Sequence, residues 1–362
     1  MKKTIQILLL VMATGWWWGL IAQTPENPEI ARRIERGIIL TIRNEFHQAE
    51  QVFRDLIADY PRRPAGYFYL GATYQALMLD RENYDSLQAF RKVMKTAIQR
   101  AKELLKQNKN DTWALFFEGS AYLYISFIDS KLGKIWGSYR NASRGVGRLK
   151  KILKYDSTFY DAYLGVGSFT YWKSSKMKSL KWLPFISDQR RKAIPMMELA
   201  ISKGRFTRLV GRDQLAWVYL DDGKPEEALR LALENYRLYP ESRFFQWTLV
   251  AAYYRSEKFE EAFRLYQQLL QEIRQLPENN HYNEIVCLLR MAEIEYRRAH
   301  YAGVEKLTSE LLSLSLTEDV RKRSRKKRKQ ALELKQQSAR ELAKMNGAPG
   351  SGPKQPIPDA SR

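Results

Sequence analysis

Histidine and cysteine side chains would be the first candidates for catalysis or metal binding, and this chain has few of them. The three histidines, His47, His281 and His300, share no local spacing, and the single Cys287 lies in an apolar run. One cysteine cannot form an internal disulfide, and no zinc or haem spacing is present. The H-E-x-x-H, G-x-S-x-G and P-loop motifs are also missing from the sequence. We therefore predict a non-enzymatic protein with no catalytic, cofactor-binding or metal-binding residue, and a core position for Cys287.

Basic residues are the most abundant source of polar chemistry. The 362 residues include 61 Lys plus Arg against 40 Asp plus Glu, a formal charge of +21. Segment 321–344 has eleven basic and two acidic residues, and segment 172–192 mixes basic residues with Trp and Phe. Such segments suit an anionic membrane or cell-envelope surface, although a solvated capping helix and a packed lid are the plainer interpretations. The candidate contacts are Lys176, Lys178, Lys181, Trp182, Arg321, Lys326 and Arg328.

The first 22 residues differ from the rest of the chain. Lys2 and Lys3 precede an almost wholly apolar run from Ile5 to Ala22. This pattern is typical of a secretory signal peptide cleaved after Ala22, and an uncut signal anchor is the alternative, because about 18 apolar residues just span a bilayer. We expect an exported protein, either in the periplasm or anchored in the membrane and facing it. A nucleic-acid partner is not expected in that compartment.

The elements that position these residues are predicted to be helices. From about Ile30 to Leu316, apolar residues recur at three- and four-residue spacing, and no stretch alternates as a strand would. This pattern indicates amphipathic helices in an all-α body. A polar turn before Pro225 separates two such helices, and Pro225 with the two following glutamates suits a helix amino terminus.

Similar residues recur 34 positions apart within this body. The clearest pairs are Gly37 with Gly71, Tyr219 with Tyr253, and Ala228 with Ala262. Small residues let two helices approach closely, and aromatic residues fill the space between successive hairpins. This spacing of small residue, aromatic, alanine and closing proline resembles the tetratricopeptide repeat over about residues 30–310.

The resemblance implies a superhelix, or α-solenoid, of stacked helical hairpins. The concave face of such an array takes an extended peptide or a helix. Aromatic residues on the first helices of the hairpins are candidates for partner contact, with packing between repeats as the alternative role. These candidates are Tyr67, Trp113, Phe117, Phe245 and Trp247.

Two segments, 125–148 and 171–192, interrupt the period and are interpreted as insertions. The second resembles divergent repeat proteins of the inclusion-body-clearance type, and the whole chain resembles exported bacterial repeat proteins such as the T-component of tripartite substrate transporters. We expect a repeat domain over 23–316, a basic C-terminal helix over 317–345 and a disordered tail over 346–362.

These features predict an exported scaffold that binds a protein or peptide partner in its concave groove. One alternative is a transport-accessory protein that binds a ligand in a pocket formed by the insertions, which would require a closed, polar-lined cavity. The other is a protein that binds the envelope or an anionic polymer through its basic C-terminal segment. In that case, deletion of 321–362 should abolish both binding and its salt dependence.

Overall fold

The computed structural model describes residues 27–176 and 188–345. Fifteen α-helices and no strand occur in these residues, which confirms the predicted all-α fold. The chain divides into two compact units, residues 1–256 and 257–362. That boundary lies inside the repeat domain predicted for 23–316.

Several predictions from the sequence fall on other parts of the chain. The predicted signal segment over 1–22, the predicted tail over 346–362, and Lys178, Lys181 and Trp182 lie outside the described residues. Among the helices that are described, none has both the length and the apolar character needed to cross a bilayer.

The first unit contains five consecutive helical hairpins and one further helix. The two helices of each hairpin pack together, and the first helix of each hairpin also packs against the first helix of the next. The hairpins are therefore stacked, as the repeat prediction requires. The helices are α1 (Pro28–Ile42), α2 (Phe46–Asp59), α3 (Pro64–Arg81), α4 (Leu87–Gln107), α5 (Thr112–Lys131), α6 (Ile135–Tyr155), α7 (Asp161–Lys176), α8 (Arg190–Lys203), α9 (Arg208–Asp221), α10 (Pro225–Leu238) and α11 (Arg243–Arg255).

Glycines allow close helix contact at the positions where the repeat pattern places small residues. A Cβ added to Gly37 of α1 would lie 2.1 Å from Cζ of Phe53 in α2. In the third hairpin, a Cβ on Gly119 would lie 2.9 Å from the carbonyl oxygen of Gly145. Neither site has room for a side chain, so the two helices of each hairpin meet at close range through these glycines.

The first predicted insertion, 125–148, is not a separate element. Its residues form the last third of α5 and most of α6, joined by a turn with Gly133 at a φ of 74°. The period is broken because these two helices are 20 and 21 residues long. Of the second predicted insertion, 171–176 belongs to α7 and 190–192 to α8.

The second unit continues the repeat spacing and ends with a long helix. Its first helix begins at Phe259, 34 residues after α10 begins at Pro225. Cys287 is fully buried, as predicted, and burial raises the pKa of its thiol, which keeps the sulfur protonated. The helices are α12 (Phe259–Arg274), α13 (Tyr282–Arg297), α14 (Tyr301–Ser313) and α15 (Glu318–Met345).

The basic C-terminal segment forms α15, which packs against α13 and α14. Its buried residues are Val320, Ser324, Ala331, Leu334 and Ser338, which recur at three, four and seven positions along one face. Small and apolar residues on that face allow close packing, while most of the basic side chains lie on the opposite side. The helix therefore covers the end of the second unit, as the capping interpretation expected.

Candidate partner-binding site

A cleft in the first unit lies where three helices begin. Asn27 precedes α1, and its Oδ1 accepts a hydrogen bond from the amide of Glu29 at 2.9 Å. Pro64 is the first residue of α3. Proline lacks an amide hydrogen, which has no cost at this position because an amide there would have no partner within the helix. Asp111 precedes α5, and its Oδ1 accepts a hydrogen bond from the amide of Ala114 at 2.8 Å, as an aspartate N-cap does. These local preferences determine where the three helices begin, and the stacking of the hairpins places the three helix starts side by side.

The cleft has a volume of about 110 Å³. Most of its lining is apolar, and Asn27 Nδ2 donates to the hydroxyl of Tyr60 at 2.9 Å along one wall. A space of this size is on the order of one apolar side chain. The lining residues are Asn27, Ile30, Tyr60, Arg63, Pro64, Ala65, Leu104, Asp111, Trp113, Ala114 and Phe117.

Trp113 forms an aromatic wall of the cleft that its neighbours hold in place. Its ring lies 4.7 Å from that of Phe159 in an edge-on arrangement, 5.9 Å from Phe117 and 5.7 Å from Phe206, measured between centroids. Such contacts fix the ring orientation. Trp113 remains half-buried, so part of the indole faces the cleft. A rigid aromatic surface with one open side suits an apolar ligand group.

The five aromatic residues predicted to contact a partner do not form one surface. Trp113 and Phe117 both line the cleft, although Phe117 is itself buried and forms its floor. Tyr67 is half-buried outside the cleft, and its hydroxyl donates to the carbonyl oxygen of Pro61 at 3.3 Å. Trp247 is half-buried on α11. Phe245 is fully buried against the ring of Phe244, so direct partner contact is wrong for Phe245 because it belongs to the core.

The inner side of the first helices is occupied by the chain itself. The loop before α9 places Phe206 near Tyr69 of α3, with centroids 6.4 Å apart, and near Trp113 of α5. Asp161 holds this loop, because its carboxylate accepts hydrogen bonds from the amides of Arg205, Phe206 and Thr207 at 2.9 to 3.1 Å. Phe206 is therefore buried where an open groove would leave space.

Ion pairs close the same side at three further points. Arg205 Nε lies 2.7 Å from Glu35 of α1. Arg43, just after α1, pairs with Glu241 at 2.9 Å. Arg243 of α11 binds Asp80 of α3 through two hydrogen bonds of 2.8 and 2.7 Å, and the two side chains are only 13% and 6% exposed. The predicted open concave groove is therefore interrupted in this unit, and the cleft at the helix starts is an apolar site outside the interrupted region.

The predicted anionic-surface residues that are described fall into two groups. Lys176, Arg321 and Lys326 are exposed, and the Nζ of Lys176 lies 3.5 Å from Oγ of Ser130. Arg328 is half-buried and donates to the carbonyl oxygens of Leu311 and Leu312 at 3.3 and 3.2 Å. The guanidinium of Arg328 thus satisfies the last carbonyls of α14, and contact with an anionic surface stays a prediction for these four residues.

The histidines of the second unit are bound to acidic neighbours. Nδ1 of His281 lies 2.7 Å from Glu284, and His300 contacts Glu295. Within the described residues, no group of three or more His, Cys, Asp or Glu side chains could hold a metal ion.

A group of exposed apolar residues that the repeat pattern does not predict lies at the start of α6. Ile135, Trp136 and Tyr139 are 62%, 87% and 51% exposed. The sequence contains Lys134, Ile135 and Trp136 in succession at this turn. The interpretation of 125–148 as an insertion does not predict that these residues lie on the surface of a helix.

Comparisons with known proteins find similarity only among solved structures. No family model matches the chain, and no curated protein matches it. The chain is similar to a thermophilic TPR protein of Thermus thermophilus (15% identity, TM-score 0.39, covering 62% of this chain and 98% of that one). It is also similar to a human IFIT1 dimer with PPP-AAAA, at 15% identity and a TM-score of 0.42, over 82% of this chain and 69% of that one. The TPR domain of P58(IPK) is similar at 12% identity and a TM-score of 0.28, over 86% of this chain and 99% of that one. The stacked hairpins of the chain itself carry the assignment of a helical-repeat fold.

Proposed function

We propose that this chain is a non-enzymatic scaffold that binds a protein or peptide partner by seating one apolar side chain in the cleft at the starts of α1, α3 and α5. The supporting observation is the cleft itself, an apolar site of about 110 Å³ beside the half-buried ring of Trp113. A single well-packed anchor in such a pocket commonly carries much of the affinity of an interface.

The size of the cleft favours a peptide over a soluble ligand. Pockets that enclose a small-molecule ligand usually measure about 300–1,000 Å³. The cleft is smaller than that range and has few polar groups, so it suits one side chain of a larger partner.

A displayed random-peptide library selected against the full-length chain tests this proposal. We expect the selected peptides to share one apolar position. Ala65 lines the cleft and is buried, so Ala65→Met should fill the cleft and weaken binding of a selected peptide by about tenfold or more. The control is Ala339→Met on the exposed side of α15, which should leave affinity unchanged. Equal affinity for both variants, with thermal stability retained, would exclude the cleft as the site.

We also propose that the chain is exported. The support is the basic start and the apolar run over 1–22, which together are typical of a secretory signal. Mass spectrometry of the amino terminus of the chain purified from cell fractions tests this proposal. A chain beginning at Gln23 indicates cleavage, an intact chain in the membrane fraction indicates an anchor, and an intact chain in the cytosol contradicts export.

A further inference from the structure

The start of α6 exposes apolar side chains that a folded protein usually buries. Trp136 is 87% exposed, and Ile135 and Tyr139 beside it are also exposed. Phe127 on α5 adds a further exposed ring. Single exposed apolar residues are common, but several in sequence at a helix start indicate an interaction surface. We call residues 134–144 the α6 corner.

Positive charge surrounds these apolar residues. Between Lys131 and Tyr155 the chain has eight basic residues and no acidic one. Glu82 pairs with Lys131 at 3.0 Å, and the buried Glu118 pairs with Arg148 at 2.8 Å. Within the described part of the chain, the other basic residues of α6 and its preceding turn make no ion pair. They are Lys134, Arg140, Arg144, Lys150, Lys151 and Lys154.

The basic residues of α6 lie opposite its buried face. Val146, Leu149 and Ile152 pack into the core, whereas Arg140 and Arg144 are exposed one turn apart. Because Arg140 follows Trp136 by four residues and Arg144 follows Arg140 by four, their charges lie beyond the indole ring along the same side of the helix. The helix therefore presents apolar groups at its amino end and positive charge along its outer face.

Neighbouring elements extend this charge. Lys176 at the end of α7 lies beside Ser130 at the end of α5, one turn before the α6 corner. On α4, Lys92, Lys95, Lys102 and Lys106 are exposed at spacings of three, seven and four residues, along one side of the helix. A cleft of about 280 Å³ between α4, α5 and α6 is lined by Arg91, Lys95 and Asn141, with Asp129 paired to Arg91 below it. Positive charge dominates the exposed surface around the corner.

We infer that the α6 corner docks on an anionic lipid bilayer, a role distinct from peptide binding in the cleft. Ile135, Trp136 and Tyr139 enter the boundary between headgroups and acyl chains, where indole and phenol rings bind well. Lys134, Arg140 and Arg144 contact lipid phosphates, each adding attraction to a negatively charged surface. The aliphatic Ile135 favours a bilayer over nucleic acid, because a base stacks on rings rather than on a branched alkyl group.

A fluorophore at one position of the full chain tests whether the corner enters the bilayer. Cys287 is buried, so a cysteine introduced by Tyr139→Cys can be labelled selectively with an environment-sensitive dye. The control is Lys322→Cys on the exposed side of α15. With phosphatidylglycerol–phosphatidylcholine vesicles we expect a blue shift and increased intensity at position 139 only, and little change with phosphatidylcholine alone. A dye at 139 that stays in water on vesicles that have bound the protein would overturn the inference.

Matched charge variants test the electrostatic part. The combined change Lys134→Gln, Arg140→Gln and Arg144→Gln should weaken partition onto the anionic vesicles by about a hundredfold. The control variant, Arg321→Gln, Lys322→Gln and Lys326→Gln, removes equal charge from α15 and should have a smaller effect. A larger loss in the α15 variant would assign the surface to α15 instead.

If a single-stranded RNA homopolymer binds the corner and vesicles do not, the occupant is nucleic acid and the inference fails. Neither charge variant alters the cleft, so peptide binding should persist in both.

Discussion

Asp213 illustrates how burial controls a single side chain. It lies on α9 with 3% of its surface exposed, and its Oδ1 accepts a hydrogen bond from Thr248 Oγ1 at 2.5 Å. Burial raises the pKa of Asp213 to about 7, and the Thr248 hydrogen bond offsets that rise only in part. The buried carboxyl is therefore neutral in acid and charged in base, with one hydroxyl to stabilise the charge.

Asp213→Asn should stabilise the protein more at about pH 8 than at about pH 5. The folded-state pKa lies above the ordinary value of 3.8, so the folded chain binds the proton more tightly than the unfolded chain. The contribution of this proton to the free energy of unfolding is therefore fully present below about pH 4. It is lost as the pH rises through about 7, by on the order of 1 kcal/mol for each pH unit. Urea unfolding at both pH values measures the difference. Asp161→Asn is the contrast, because Asp161 accepts several hydrogen bonds and its replacement should destabilise at both. An equal effect of Asp213→Asn at both pH values would contradict this account.

At the scale of an element, Arg328 connects α15 to the carboxyl end of α14. The last carbonyls of a helix lack partners within it, and the guanidinium supplies hydrogen bonds to those of Leu311 and Leu312. Arg328→Met keeps most of the side-chain stem but removes these bonds and the charge, and should destabilise the protein by about 1–2 kcal/mol. Lys326→Met removes the same charge from the exposed side of α15 and should have little effect. Urea unfolding, together with hydrogen exchange in α14, distinguishes the two variants. Equal losses of unfolding free energy would show that the charge of the side chain matters and that its hydrogen bonds do not.

Most helices could be predicted from the sequence because their causes are local. The N-cap at Asp111 and the close contact at Gly37 both follow from residue type and spacing. The length of α5 and α6 could not be predicted in this way, because a fixed 34-residue frame treats extra helical turns as an insertion. Exposure of Trp136 was missed for a related reason, since spacing alone does not show whether a neighbouring hairpin covers a residue.

At the scale of the first unit, contacts between distant segments determine which surface stays open. Arg205 and Glu35 are 170 residues apart in the sequence, and Arg243 and Asp80 are 163 apart. Pairs at such separation leave no local pattern, so the repeat period predicts the hairpins but not the closure of their inner side. Partner binding at the cleft beside Trp113 therefore stays a prediction, while Phe245 and Phe206 belong to the core.

The Asp80–Arg243 pair should contribute strongly to this closure. Both side chains are largely buried, so removing one charge leaves the other poorly compensated, and Asp80→Asn should reduce the free energy of unfolding by roughly 2–4 kcal/mol. Arg32→Gln is the control, because Arg32 is an exposed partner of Glu29 whose loss should be barely measurable. Reversing both charges, Asp80→Arg with Arg243→Asp, should recover part of the loss in a double-mutant cycle. Urea unfolding gives the energies, and hydrogen exchange in α3 reports the opening. If Asp80→Asn is no more destabilising than Arg32→Gln, the ion pair does not hold the inner side closed, and the first helices would be available to a partner after all.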